Sequence, residues 1–245
     1  MSKDMAKELE KLQLLKGGLV VSVQAAEGEP LCHPDHILAM ALSALNGGAV
    51  GLRLEGANNI AHVRQNTIVP IVGLTKSKLV SEKDWIKHVY ITPTFEDAEE
   101  IAIAGADIVA IDATDRQRPG GVTVAQLIER IHKELNKPVW ADCSTLADGL
   151  TAAKAGADVI STTLSGYTQE TKVPPETTGP DLKLLEAFVR LTDKPVVLEG
   201  RVWFPTEVAE AFALGAFSCV VGSAITRPQL ITQRFVKAMR TTVNA

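Results

Sequence analysis

Apolar and polar positions along this chain repeat in a fixed order. Four times a segment of helical periodicity closes on Gly-Ala or Gly-Gly-Ala and runs at once into an apolar stretch: NGGAVGLRL from Asn46, AGADIVAID from Ala104, AGADVISTT from Ala155 and LGAFSCVVG from Leu214. A glycine there suits the left-handed position that ends a helix, and the residues after it are β-rich. Between these copies lie apolar stretches opened by proline, namely PIVGLTK from Pro70, PVWADCS from Pro138 and PVVLEGR from Pro195. Proline is acceptable as the first residue of a strand because the ladder does not yet need its missing N–H.

With GGLVVSVQ from Gly17 these make eight apolar strands, the two kinds alternating. Most are separated by helical periodicity; Pro34 to Leu45, for example, sets Ile37, Met40, Ala41, Ala44 and Leu45 on one face. Continuous apolar strands alternating with helices predict a parallel sheet covered by helices, and eight such units predict a closed (β/α)8 TIM barrel. No GxGxxG follows the first strand, so the dinucleotide-binding open sheet loses its main support. A single barrel domain over residues 1–245 is expected, with three additions to the minimal repeat. Residues 1–16 read as a packed amphipathic helix with Leu9, Leu12 and Leu15 or Lys16 as its stripe. Residues 78–94, with the strand-like VYITPT, and 165–180, SGYTQETKVPPETTGP, are insertions after the third and sixth strands. Both fall at strand C-termini, where barrel enzymes carry their sites and long loops often serve as lids.

Composition narrows the partners. The net charge is −4 and the basic residues are scattered, which argues against nucleic acid. No apolar run approaches the roughly 18–20 residues of a membrane helix, and the start MSKDMAKELEKLQ is polar rather than signal-like. Cys143 and Cys219 sit in apolar runs and read, with Cys32, as unpaired thiols of a reduced, cytoplasmic protein.

Charge then gathers at the strand ends. Side chains two apart on a strand point the same way. Counted from the opening prolines, Asp142 and Glu199 fall at the fifth position and Lys76, Ser144 and Arg201 at the seventh, all of one parity. Arg53, Glu55, Asp112, Thr163 and Gly222 share a parity counted from their glycines, and Gln24 closes the first strand. Burying such groups unpaired is costly, so they form either compensating pairs such as Arg53 with Asp142, or a site. A plug of paired charges would serve equally at the N-terminal mouth, where the strands open with Pro, Val and Ile and no comparable cluster is expected. A functional mouth is therefore favoured. Lys76 and Glu199 stand out, because the third and seventh strands face each other in a barrel of eight. Loops seven and eight are the usual phosphate cradle of this fold, and they supply Gly200, Arg201, Gly222, Ser223 and, after them, Arg227. The five histidines end no strand, so no catalytic metal is expected.

The segments VVSVQA, GLRLEG, IVGLTK, YITPT, IDATDRQRP, ADCSTL, ISTTLSGYT, LEGRV and VVGSAITRP, spanning Val20 to Pro228, resemble the N-acetylmannosamine-6-phosphate 2-epimerases of bacterial sialic acid breakdown. The resemblance implies cofactor-free interconversion of N-acetylmannosamine 6-phosphate and N-acetylglucosamine 6-phosphate. It puts the proton-transfer lysine on Lys76 and its partner glutamate on Glu199. Gln24, Arg53 and Asp142 become substrate-orienting positions, and the late arginine is Arg227; Thr163, on the parity of the strand ends, is expected to bind substrate beside them. A homodimer is expected. Thr75 stands where the family is more aliphatic, and Val202-Trp203-Phe204 where it has a small polar residue; these touch neighbours of the chemistry. Two other readings share the barrel and cradle: another phosphosugar enzyme (a synthase or a Schiff-base aldolase), and a non-catalytic phosphosugar-binding protein.

Overall fold

The computed structural model describes residues 3–77, 80–81, 84–174 and 179–243. Residues 78–79, 82–83 and 175–178 of the two insertions lie outside the described residues, as do the first two and last two of the chain. Helix α1 (Lys3–Gln13) leads into β1 (Leu19–Val23), α2 (Pro34–Asn46), β2 (Gly51–Glu55), α3 (Ala57–Arg64) and β3 (Ile71–Leu74). There follow α4 (Phe95–Ile103), β4 (Ile108–Asp112), α5 (Val124–Arg130), β5 (Val139–Asp142), α6 (Leu146–Ala155) and β6 (Val159–Ser161). The chain ends with α7 (Leu182–Leu191), β7 (Val196–Glu199), α8 (Pro205–Ala213), β8 (Ser218–Val221), the short α9 (Ser223–Thr226) and α10 (Pro228–Val243). The strands close in sequence order into a parallel barrel of eight, as the alternation predicts.

The glycine and proline signals act through backbone hydrogen bonds. Gly48, Gly105, Gly156 and Gly215 all have positive φ, between 97° and 108°. The N–H after each bonds a carbonyl five residues back, as in Ala49 to Ala44 and Ala106 to Ile101, both 3.1 Å. This 6→1 closure satisfies orphan helix carbonyls and aims the chain at the next strand. Pro70, Pro138 and Pro195 cannot donate, but each carbonyl accepts a ladder bond of 3.0 Å, from Leu52, Val109 and Ile160 respectively.

Period-2 alternation divides the apolar residues between two cores. Val20, Val72, Ile108, Trp140, Val159, Val197 and Val220 fill the barrel interior, while Val21, Leu52, Ile71, Val109 and Ile160 meet the helices outside. The interior cluster also takes in Leu12 and Leu15, so α1 and the turn after it close the N-terminal end of the barrel.

The expectation of no charged cluster at that end is overturned. Asp107, just before β4, pairs with Lys11 of α1 (2.5 Å) and with Arg64 of α3, and accepts the Ile71 N–H at 2.8 Å. Asp158, just before β6, contacts His132 (2.8 Å) and accepts the Val139 N–H at 2.8 Å. Both aspartates precede their strands, outside the positions that the alternation ranks. They serve the structure, by bonding first residues of strands and fastening α1. The two ends thus differ in access rather than in charge.

The insertion after β3 returns through the barrel wall. β3 and β4 pair directly only at Val72–Ile108 and Gly73–Val109. Beyond that point residues 90–92 lie between them: Ser77 N–H bonds Tyr90 O (2.8 Å), Thr92 N–H bonds Thr75 O (2.8 Å), and Asp112 N–H bonds Ile91 O (3.0 Å). Tyr90 and Ile91 thereby join the interior core. The closure by α1 and the turn after it is testable: Leu15→Ala, at a fully buried site of that turn, should cost ~2–5 kcal/mol of stability. Urea unfolding should show a lower midpoint, with KM of the folded protein unchanged.

Candidate active site

A cavity of about 370 Å³ opens at the C-terminal mouth. Ten of the eleven side chains or glycines expected from the sequence line it: Gln24, Arg53, Lys76, Thr163, Glu199, Gly200, Arg201, Gly222, Ser223 and Arg227. The eleventh, Asp142, lies fully buried beneath its floor. Strand alternation produces most of this gathering, because Gln24, Arg53, Lys76, Thr163, Glu199, Arg201 and Gly222 extend the interior-facing parity of otherwise apolar strands, while Gly200, Ser223 and Arg227 come with the loops that follow β7 and β8.

The floor is one buried ion-pair network. Arg53 Nη2 and Nη1 donate to the two oxygens of Asp142 at 2.5 and 3.1 Å, and Nη1 also lies 3.1 Å from Glu199 Oε2. Its guanidinium sits above Trp140, 5.9 Å from the ring centre. The Thr163 hydroxyl is 2.7 Å from Asp142 Oδ1 and 3.1 Å from Glu199 Oε2, with one proton to share between two carboxylates. One guanidinium therefore faces two acids in a dry setting. Desolvation, the largest cause, raises the Glu199 carboxyl to about 7, with the Asp142 charge adding to it and Arg53, the Thr163 hydroxyl and Lys76 opposing. The same desolvation lies on Arg53, but Asp142 and Glu199 more than offset it and hold the guanidinium charged. Because Arg53 is 1% exposed and both Nη atoms are engaged, it acts on the cavity by holding the two acids.

Lys76 stands two residues beyond β3, where an antiparallel bridge to Ile91 fixes the backbone. Tyr90 from the same returning segment lines the cavity beside it, its hydroxyl held neutral by burial and by the charges of Asp112 and Asp142. On the other side, loops seven and eight carry the remaining cations. Arg201 Nε donates to Gly179 O at 3.0 Å and Nη1 to Ser165 O, so this guanidinium anchors the β6–α7 loop as well as lining the cavity. That loop is further tied by the Ser144, Thr168 and Thr171 hydroxyls at 2.7–3.0 Å and by Ser165 to Asp181 at 2.6 Å. The described part of the second insertion is a fastened wall. Arg227 pairs with Glu29 of the loop after β1, and the Thr226 hydroxyl bonds Ser22 O at 2.8 Å.

Some expected charges go elsewhere. Asp112 is wholly buried and turned to Arg116 (2.7 Å) and Thr114, away from the cavity lining. Among the described residues no group of three or more His, Cys, Asp or Glu side chains is placed to hold a metal ion. Sequence reasoning missed Ser22, Tyr90, Tyr167, Trp203 and Leu230, which also line the cavity. Ser22 shares the parity of Gln24 and was within reach of the alternation argument. The three aromatic residues come from loops, where no period marks them.

A closed barrel with a cavity at its C-terminal mouth, floored by paired acids and rimmed by lysine and arginine, has the active-site architecture of the barrel enzymes. The family follows from comparison. Residues 37–241 match the NanE family, described as "Putative N-acetylmannosamine-6-phosphate epimerase". Two relatives carry the name "Putative N-acetylmannosamine-6-phosphate 2-epimerase". One, from Caldanaerobacter subterraneus subsp. tengcongensis, is 44% identical over 94% of each chain. The other, from Cutibacterium acnes, is 46% identical over 92% of this chain and 95% of its own. The solved structure of the N-acetylmannosamine-6-phosphate 2-epimerase from Clostridium perfringens superposes with a TM-score of 0.86 at 40% identity, covering 93% of this chain and 95% of that one. A thiamine phosphate pyrophosphorylase from Pyrococcus furiosus, 18% identical with a TM-score of 0.58, shares the fold. The chain belongs to the N-acetylmannosamine-6-phosphate epimerase family.

The raised Glu199 carboxyl has a thermodynamic signature. Between the ordinary value of 4.5 and about 7 the unfolded chain releases this proton while the folded chain keeps it, so the group costs more stability as pH rises through that window. Glu199→Gln removes that cost. The Tm difference between E199Q and wild type should therefore move in favour of E199Q from pH 5 to pH 8. A difference independent of pH would contradict the raised value.

Proposed function

We propose that the protein interconverts N-acetylmannosamine 6-phosphate and N-acetylglucosamine 6-phosphate by moving a proton at C2. The observation that carries this is Lys76 and Glu199 reaching one cavity from opposed strands, in a chain of this family. The C2 proton of a 2-acetamido sugar becomes acidic once C1 is an open-chain aldehyde. Inversion then needs a base on one face, stabilisation of the enolate, and an acid on the other face. Neutral Lys76 takes the proton from one side. Glu199, which carries a proton near neutral pH, returns one from the other. Neutral lysine with protonated glutamate holds as many protons as ammonium with carboxylate, so the pair serves both directions. Arg53 and Asp142 hold Glu199 in register, and Gln24 and Thr163 bond the sugar. Gly200, Gly222, Ser223 and Arg227 receive the phosphate, with Arg201 ordering the loop beside them.

The synthase, aldolase and sensor readings are not carried further, since the relatives matching most of the chain are epimerases by name. The reading invokes no cofactor. It places the enzyme in the cytoplasm, in amino sugar and sialic acid catabolism, which fits three cysteines without a disulfide. No helix among the described residues is long and apolar enough to cross a membrane.

Wild-type enzyme in D₂O should place deuterium at C2 of the product, read by proton NMR, because lysine and glutamic acid both exchange with solvent. Lys76→Ala should stay folded, bind substrate and lose turnover and label together. Complete epimerisation with C2 still protiated, or a tenth of wild-type kcat in K76A, would remove Lys76 from the chemistry.

The reading includes a homodimer. Helix α10 exposes Phe235 (72%), Val236 and Met239 (65%), a stripe that a single chain leaves in water. Replacing Phe235 and Met239 together by Glu should shift the sedimentation mass from two chains to one. An unchanged dimer would place the contact on another face.

A further inference from the structure

The Asp112–Arg116 pair lies outside the cavity lining, and the proton transfer described above does not use it. It holds a segment that reaches the lysine. Asp112 at the end of β4 accepts from the Thr114 N–H (3.1 Å) and hydroxyl (2.6 Å), which leaves its other oxygen for Arg116 Nη2 at 2.7 Å. Arg116 Nη1 then donates to the carbonyls of Trp85 and His88, each at 2.7 Å. Two carbonyls of the first insertion are thus pinned to a barrel strand. Trp85 lies flat on Tyr90, ring centres 4.5 Å apart and planes 2° from parallel, and Tyr90 belongs to the interior core. Its indole N–H donates to Val80 O at 3.2 Å. The Lys76 ammonium stands 5.4 Å from the centre of this held ring.

We propose that Trp85, locked by Arg116 and Tyr90, is a positioning residue for Lys76: it holds the ammonium form over its ring and so sets the pH range in which the amine works. The inference rests on Lys76 being the proton-transfer residue. An aromatic face attracts an ammonium and not a neutral amine. Trp85 therefore acts with Glu199 of β7 and Asp142 of β5, which favour the charged lysine. Arg53 of β2, Arg201 after β7 and Arg227 after β8 favour the neutral one. The Tyr90 hydroxyl between them stays uncharged. A lysine held this way keeps its captured proton in a defined place between turnovers.

The test is the pH dependence of kcat and kcat/KM in Trp85→Leu, Trp85→Phe and Arg116→Gln, beside K76A. Loss of the ring should move the bell-shaped profile about half a unit or more towards lower pH. Turnover should fall about tenfold as the amine loses its place, with KM little changed. W85F keeps an aromatic face and should recover most of the wild-type profile. R116Q, which frees the two carbonyls, should shift in the same direction as W85L and carries the test should W85L not fold. A merely structural role would lower kcat equally at every pH, so an unmoved profile, or one displaced to higher pH, overturns the proposal. If K76A keeps its turnover, the proton-transfer assignment fails, and this inference with it. If K76A is inactive and the W85L profile stays in place, the inference alone fails.

Discussion

The Arg53–Asp142 ion pair is the constraint on which the site is built. Its two contacts of 2.5 and 3.1 Å lie in a barrel interior otherwise filled by Val, Ile, Leu and Trp side chains. In such a setting removal of either partner leaves the other charge stranded, at a cost of about 3–5 kcal/mol. The same guanidinium also faces Glu199, so three ionisable groups share one desolvated floor with a charge deficit of one proton. Glu199 takes up that proton near neutrality. A structural pair thereby prepares a protonated carboxyl, the acid that the proposed proton transfer sets opposite its base.

The rest of the barrel keeps that floor dry from below and open above. α1 and the turn after it close the N-terminal end with Leu12 and Leu15, and the Lys11 and Glu8 side chains of α1 bind Asp107 and Lys137 at the rim. At the C-terminal end the walls are loops, but fastened ones. Arg201 bonds the β6–α7 loop, Arg116 bonds the loop after β3, and Arg227 bonds the loop after β1. Each arginine spends backbone- or carboxylate-directed hydrogen bonds on ordering a loop against a strand end. The cavity is thus formed before substrate arrives, and substrate orientation falls to groups already placed.

Conformational freedom is limited in the same way around Lys76. It stands on two extra residues of β3, supported by a returning segment that inserts between β3 and β4 and brings Tyr90 into the core. Widening the barrel there allows an aromatic wall to meet the lysine without disturbing the pairing below Gly73 and Val109.

The sequence alone determined the strand order, the helix ends and the parity that brings seven of the expected residues to one cavity, with three more carried by the loops after β7 and β8. These follow from local chemistry: glycine's positive φ, proline's missing donor, and a side-chain period of two. Lys76, Glu199 and Arg53 were legible because each puts a charge on the interior parity of an otherwise apolar strand. The tertiary structure decided what depends on partners distant in the chain. Arg53 and Asp142 are 89 residues apart, and only closure of the barrel shows that they share the floor with Glu199, where burial raises its pKa, the Asp142 charge adds to the rise and Arg53 opposes it. The turning of Asp112, at the end of β4, depends on its side-chain partners Arg116 and Thr114. The ion pairs at the N-terminal mouth and the placing of Trp85 and Tyr90 by Arg116 lie in loops and strand-leading positions. No periodicity marks such positions, and hydrogen bonds made across space set them.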